Sequence, residues 1–364
     1  MKGSLHTALA AIAQGWWQKR GLMAHLLYPL SCLTRRVVSH RQRPSAKAHA
    51  WKAPVPVVVI GNIYVGGTGK TPVVIACAKA LRQKGWIPGV VSRGYGVEIG
   101  PTPRVTQGLA DPGLFGDEPA LIAHETKCPI AVHPRRKLAI EALLASHPEV
   151  NLIISDDGLQ HVEMARDMEI VVQDERGVGN GWLLPAGPLR EPASRLDEVD
   201  VVITRRGTVN TQADSSKHET SHPVTRHLDM TLMPKRFRQV RTGQTRSLAE
   251  MLTFAQGKSL GAAAGIGVPQ RFFETLTHSG LSLSQTRPLP DHAGIDAGTF
   301  ADMPSDLIFI TTKDAVKCRS HEDERLWALE VEPCFTEGNQ AGCDGAEFFS
   351  WLDQRLRTLA VKQA

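Results

Sequence analysis

No Asp or Glu occurs in the first 50 residues, and no run within the Leu-, Ala-, Trp- and Met-rich stretch 4–34 reaches the ~18 to 20 apolar residues of a bilayer span. A membrane-crossing helix is excluded there. A cleaved signal peptide also fits poorly, because Lys19-Arg20 follows the first apolar stretch and further arginines follow the second. Cysteine is sparse: Cys32, Cys77, Cys128, Cys318, Cys334 and Cys343 show neither C-x-x-C spacing nor a His pair at zinc-ligand distance. That rules out a zinc module and a disulfide framework, and the six read as reduced thiols of a cytosolic protein. Low-complexity tracts are missing too, so a chain of 364 residues with 42% hydrophobic content is neither disordered nor fibrous and has room for about two domains.

Charge is distributed unevenly. Eight of the 42 basic side chains lie in residues 1–50, leaving 34 against 37 acidic residues in the remainder, a net of −3. A basic segment on a slightly acidic body predicts one cationic surface rather than a general polyanion binder, and no nucleic-acid partner. At helical spacing Leu5, Leu9, Ile12 and Trp16 share a side with Trp17 nearby, and Leu22, Leu26 and Leu27 extend the apolar surface. This predicts an interfacial helix with Trp at headgroup depth and cations facing an anionic membrane surface, each contributing ~1 kcal/mol. The competing reading is an ordinary amphipathic helix packed on the protein. Pro29 is expected to break the second half of the segment.

From Val55 onward, short Val/Ile runs alternate with helix-period segments, which predicts an α/β fold, a parallel sheet with helices on both faces that the glycine-rich turn at 61–71 makes P-loop NTPase-like. Expected strands cover 55–60, 87–92, 128–133, 151–155, 168–173 and 199–204. Polar residues 205–222 read as a connection. Beyond them, 224–241 reads as two extended arms, 258–264 and 306–311 as strands, and 268–279 and 345–360 as helices. The expected organisation is a basic amphipathic segment (1–50), a P-loop domain (51–222), a kinase domain by the resemblance given below, and a smaller C-terminal α/β domain (223–364).

The turn between the first strand and its helix reads Gly61-Asn62-Ile63-Tyr64-Val65-Gly66-Gly67-Thr68-Gly69-Lys70-Thr71. Backbone N–H groups of Gly66, Gly67, Thr68 and Gly69 can face the phosphates of ATP, Lys70 can reach the β- and γ-phosphates, and the Thr71 hydroxyl can hold Mg²⁺. The strict Walker pattern demands Gly where Tyr64 stands, so the loop is a variant. Asp156 and Asp157, directly after the apolar Leu152-Ile153-Ile154, occupy the position where such enzymes hold a metal ion; adjacent residues point to opposite faces, so the two carboxylates should differ in role. The alternatives are a P-loop GTPase, which would want an N-K-x-D base reader that only Thr312-Lys313-Asp314 approaches, and a nucleotide-switched peripheral membrane protein.

Seven blocks complete the pattern: V-G-G-T-G-K-T-P at 65–72, S-R-G-Y-G at 92–96, G-D-E-P at 116–119, D-D-G-L-Q-H at 156–161, R-G-x-G-N-G-x-L-L-P-A-G-P-L-R-E-P at 176–192, D-H at 291–292 and T-x-K-D-A-V-K at 311–317. Through them the chain resembles the tetraacyldisaccharide 4'-kinase family, departing at Leu159, usually aromatic, and Thr312, usually Glu. The resemblance implies transfer of phosphate from ATP to the 4' hydroxyl of a tetraacylated glucosamine disaccharide 1-phosphate, on the cytoplasmic face of the bacterial inner membrane; no obligate protein partner is evident in the sequence. It also implies that Asp117 is the general base with His292 as orienting partner, beside the phosphate-site residues Lys70 and Asp157. Arg93, Asn180 and Arg190 are then candidate substrate contacts, and Glu191 joins Thr71 and Asp156 as a candidate metal ligand. Asp117 and His292 fall in different expected domains, so catalysis should need closure.

Overall fold

Val and Ile runs that cannot face water on either side form the central strands. The computed structural model describes residues 17–42, 50–207, 225–291, 293–296, 298–318, 322–337 and 345–361. In chain order the first lobe contains α1 (Leu22–Arg41), β1 (Val57–Gly61), α2 (Lys70–Gln83), β2 (Pro88–Ser92), β3 (Arg104–Gln107), α3 (Pro112–Phe115), α4 (Asp117–Thr126), β4 (Pro129–Val132), α5 (Arg136–Ser146), β5 (Leu152–Asp156), β6 (Met168–Asp174) and β7 (Val201–Arg205). The second contains β8 (Arg226–Gln239), β9 (Thr245–Ser247), α6 (Leu248–Phe254), β10 (Leu260–Ala264), α7 (Pro269–His278), β11 (Gln285–Pro288), β12 (Leu307–Thr311), α8 (Thr312–Ala315) and β13 (Leu326–Thr336), and closes with α9 (Ala346–Val361).

One thirteen-stranded sheet runs through both lobes in the order β11-β10-β12-β13-β8-β7-β6-β1-β5-β2-β4-β3, with β9 paired to β8. Its pairings are parallel except β3 with β4, β8 with β9, and β8 with β13. The long β8 continues the first lobe's sheet beside β7 and pairs with β13 along ten registered positions. Two extended arms were expected over 224–241, but a single strand forms there. Pro234 is accommodated because the ladder shifts register opposite it, between Glu330 and Val331. The expected boundary at 222 falls in 208–224, outside the described residues.

Strand alternation sorts the core. Val58 and Ile60 pack with Val73, Cys77 and Leu81 of α2 and Ile122 of α4, while Val57 and Val59 pack on the opposite face with Ile140 and Leu143 of α5. The closing helix returns to the first lobe, where Phe348, Leu352 and Leu356 join the core of α2. There Trp86 Nε1 donates to Asp353 Oδ1 at 2.8 Å.

Helix α1 runs through Pro29 without a break, correcting the expected interruption; loss of one main-chain donor is tolerated on a helix held by its side chains. Ser31 Oγ donates to the Leu183 carbonyl at 2.7 Å and accepts from Ala186 N at 3.0 Å, and the Tyr28 ring packs tilted against Trp182 with centroids 4.4 Å apart. The other flank exposes Leu22, Met23, Leu26, Leu30, Leu33 and Val37. Among the described residues no helix is long and apolar enough to cross a membrane.

Cysteine chemistry needs one correction. Cys32, Cys77, Cys128 and Cys318 are free, but Cys334 is disulfide-bonded, its partner lying outside the described residues. A single pair leaves none of the spacing signature by which a disulfide framework is recognised in sequence.

Candidate active site

Five buried residues of β1 deliver the chain to the glycine-rich turn, and α2 begins at Lys70. Gly69 caps that helix in the left-handed region at φ 93°, a conformation that favours glycine, so the loop can turn directly into the helix. Gly66 and Gly67 are exposed, whereas Thr68 is buried. Asn62 donates from Nδ2 to the Gly66 carbonyl at 3.1 Å and to Thr68 Oγ1 at 3.3 Å, which fixes the loop's shape from beneath.

Tyr64 has a structural reason for replacing glycine. The first half of the loop is extended rather than tightly turned: Tyr64 bridges to Leu189, Val65 N donates to the Pro188 carbonyl at 3.0 Å, and Arg190 N donates to the Ile63 carbonyl at 2.7 Å. The ring is 2% exposed, with the Arg176 guanidinium 4.5 Å from its centroid. The 175–192 block is therefore bound to the phosphate loop through the backbone.

That pairing delivers Arg190 to Asp157. Lys70 Nζ lies 3.3 Å from Asp157 Oδ1, and Arg190 Nη1 lies 3.2 Å from Asp157 Oδ2. Burial pushes the Asp157 carboxyl up, but Lys70 and Arg190 outweigh it and hold it below the ordinary range. Its neighbour Asp156 behaves in the opposite way. It is 2% exposed, and burial, followed by the charges of Glu118 and Asp157, raises it to about 7. Ser92 Oγ donates to Asp156 Oδ2 at 3.0 Å, and Asp156 Oδ1 has no hydrogen-bond partner. A buried carboxylate with one orphaned oxygen beside a phosphate loop fits a Mg²⁺ ligand, since Mg²⁺ usually takes one or two carboxylates and completes its shell with water and phosphate oxygens.

Around this centre the expected residues divide. Asp117 opens α4 behind Gly116 and pairs with Lys317 Nζ at 3.2 Å; a cavity of about 680 Å³ beside it is lined from both lobes by Tyr95, Val97, Leu109, Pro112, Ile295 and Lys317. Arg93 is exposed, within electrostatic reach of Arg136 and His161. Glu191 is 2% exposed and occupied by other donors: Gln160 Nε2 and Gln42 Nε2, each at 2.6 Å, and Arg195 Nε at 3.3 Å. Asn180 uses its amide within its own loop, donating to the Ala186 carbonyl at 2.8 Å and accepting from Trp182 N at 2.9 Å. In this structure both residues brace the loop that carries Arg190. His292 lies outside the described residues.

Several contributors were not foreseen. Arg136, 2% exposed in the first turn of α5, donates to the carbonyls of His133 and Asp156 at 2.9 and 3.0 Å and so holds the Asp156-Asp157 turn; burial lowers its pKa to about 10. Asn62, Arg176, Lys313 and Lys317 were also missed. The basic positions of the 311–317 block were visible in sequence, but the contact they make across the lobes was not.

A buried strand, a glycine turn opening a helix, and a lysine at its first position beside an acidic strand end define a P-loop nucleotide-binding enzyme of the α/β class. The sequence profile described as "Tetraacyldisaccharide-1-P 4'-kinase" matches residues 23–346. The chain is 51% identical over 355 residues to the tetraacyldisaccharide 4'-kinase of Bordetella petrii, covering 97% of each chain. With the enzyme of the same name from Pseudomonas putida it is 41% identical over 348 residues, covering 94% of this chain and 95% of that one. The crystal structure of LpxK from Aquifex aeolicus in complex with ATP superposes with a TM-score of 0.74 at 21% identity, covering 92% of this chain and all of that one. The chain therefore belongs to the tetraacyldisaccharide-1-P 4'-kinase family.

Proposed function

We propose that this protein transfers the γ-phosphoryl group of ATP to the 4' hydroxyl of a tetraacyldisaccharide 1-phosphate in lipid A biosynthesis, at the cytoplasmic face of the inner membrane. The convergence of Lys70 and Arg190 on Asp157, beside buried Asp156, carries the reading, together with the family assignment. Phosphoryl transfer chiefly needs positioned charge. The amides of the 66–69 turn and the start of α2 cradle the phosphates, and Lys70 exchanges its contact with Asp157 for a phosphate oxygen. Thr71 and Asp156 would hold Mg²⁺, which when bound neutralises phosphate charge; Glu191 supports them by ordering the Arg190 loop.

The cavity beside Asp117 admits the acceptor sugar, and Asp117 accepts its hydroxyl proton. His292 stays in this reading as the partner of Asp117 on the strength of the family resemblance. An Asp117→Asn enzyme should bind ATP with unchanged affinity while kcat falls by at least about 10²-fold. Transfer of radiolabelled phosphate to the acylated disaccharide at normal rate by that variant would remove Asp117 from the role.

The exposed flank of α1 supports peripheral membrane binding, because its Leu residues face solvent while Arg35, Arg36 and Arg41 supply positive charge. Replacing Leu26, Leu30 and Leu33 together by Asp should lower partition onto anionic vesicles at least about tenfold. ATP binding should be preserved, since these side chains lie opposite the docked face. Flotation equal to wild type would refute the anchor.

A further inference from the structure

Two largely buried lysines of the second lobe meet the first lobe at the start of α4, where the proposed general base stands. Lys313 Nζ lies 2.9 Å from Asp291 Oδ1 and 3.5 Å from Glu118 Oε1. Lys317 Nζ lies 3.2 Å from Asp117 Oδ2 and 3.6 Å from Asp314 Oδ1, and donates to the Ala293 carbonyl at 3.0 Å. Lys317 and Asp117 are 8% and 13% exposed, so that pair is largely desolvated and differs from an ordinary surface ion pair, whereas Lys313, itself 14% exposed, pairs with the half-exposed Glu118 and Asp291. Burial pushes Lys313 down, yet Glu118 and Asp291 outweigh it and keep its pKa raised.

Both lysines stand on a stiff platform. Thr311 caps α8 by accepting from Asp314 N at 3.1 Å, and the fully buried Asp314 carboxylate accepts from Thr311 Oγ1 at 2.6 Å and from Gly265 N at 3.0 Å. The turn from β12 is thus tied to the turn after β10. That second turn reaches the phosphate loop: a Cβ placed on Gly267 would stand 4.0 Å from Gly67 N and 3.9 Å from Asp291 Oδ2. One edge of the second lobe therefore lies beside the phosphate loop and pairs with the carboxylates at the start of α4.

We propose that Lys313 and Lys317 form an interlobe latch which sets the position of Asp117 and Glu118 against the bound nucleotide, acting as positioning residues for phosphoryl transfer. The inference rests on the assignment of Asp117 as general base. Neither lysine belongs to the phosphate loop or pairs with a residue of it, so truncating either side chain leaves the loop's own contacts in place. Turnover suffers, because a base displaced by about 1 Å costs on the order of 10²-fold in rate.

The test compares full-length Lys317→Met, Lys313→Met and Lys317→Arg enzymes with wild type by fluorescent ATP-analogue binding and by kcat with the acylated disaccharide. For Lys317→Met, the latch predicts kcat lower by about 10- to 100-fold with nucleotide affinity within about twofold. Lys317→Arg should recover at least about half of the logarithmic loss, since it restores the cation. Lys313→Met should show the same split, which keeps the inference testable if the Lys317 variant does not fold. A kcat within about twofold of wild type in a folded Met variant, or parallel losses in kcat and nucleotide affinity, would overturn the latch. An active Asp117→Asn enzyme would overturn the base assignment and the latch with it. An inactive one alongside normal kcat in the Lys317→Met enzyme would overturn the latch alone.

Discussion

An enzyme carrying Lys70→Met is expected to turn over about 10³-fold more slowly than wild type, with ATP affinity reduced by about tenfold at most. Lys70 is one of two cations paired with Asp157, at 3.3 Å, while Arg190 lies 3.2 Å from the other oxygen. Loop amides and the helix N-terminus can still hold a triphosphate when the lysine is gone, so binding survives in part. Charge that develops during transfer loses its nearest mobile cation, and this loss falls on kcat. Lys70→Arg should not rescue, because a planar fork cannot replace a compact ammonium in a socket shaped by the left-handed Gly69 cap. Phosphate transfer by the Met variant within about tenfold of wild type would remove Lys70 from the chemistry.

Asp156→Asn should abolish turnover while making the ligand-free protein more stable at alkaline pH. The Asp156 carboxyl is held at about 7, first by burial and then by Glu118 and Asp157, whereas an unfolded Asp titrates near ~4. Between those values the folded protein keeps a proton that the unfolded chain has released. Stability therefore falls as pH rises through that window and stays lower above it. Asn removes the penalty, so the variant should melt about 2 to 5 °C above wild type at pH 8, with the gap shrinking toward pH 5. Melting curves in chelator without nucleotide measure this. A variant that melts below wild type at pH 8 would mean Asp156 stabilises the apo fold instead of straining it.

The parallel core was legible because its strands are short, doubly buried and apolar, as with β1, β2, β5 and β7. The α2, α7 and α9 segments were legible from helical period. β13 escaped because Leu326–Thr336 carries Glu330, Glu332 and Pro333 within the strand, and the carboxylates are matched only across the ladder, Glu330 by Arg236 and Arg238. β3, partly exposed at the sheet edge, lacked an apolar signal for the same kind of reason. Lys70, Asp156, Asp157 and Arg190 could be read as a site from motif and order. What Asn180 and Glu191 do could not, because their partners arise only when the 175–192 loop folds on itself and on α1. The lysines at 313 and 317 pair with carboxylates almost 200 residues away, a distance that spacing does not encode.

The return of α9 to α2 has a consequence for synthesis. Phe348, Phe349, Leu352 and Leu356 complete a core whose other buried members lie between Val58 and Met230, with Phe335 alone from β13. The nucleotide-gripping half, translated before the second lobe, keeps an uncovered apolar surface until α9 has been made. Its maturation is tied to synthesis of the second lobe and of α9.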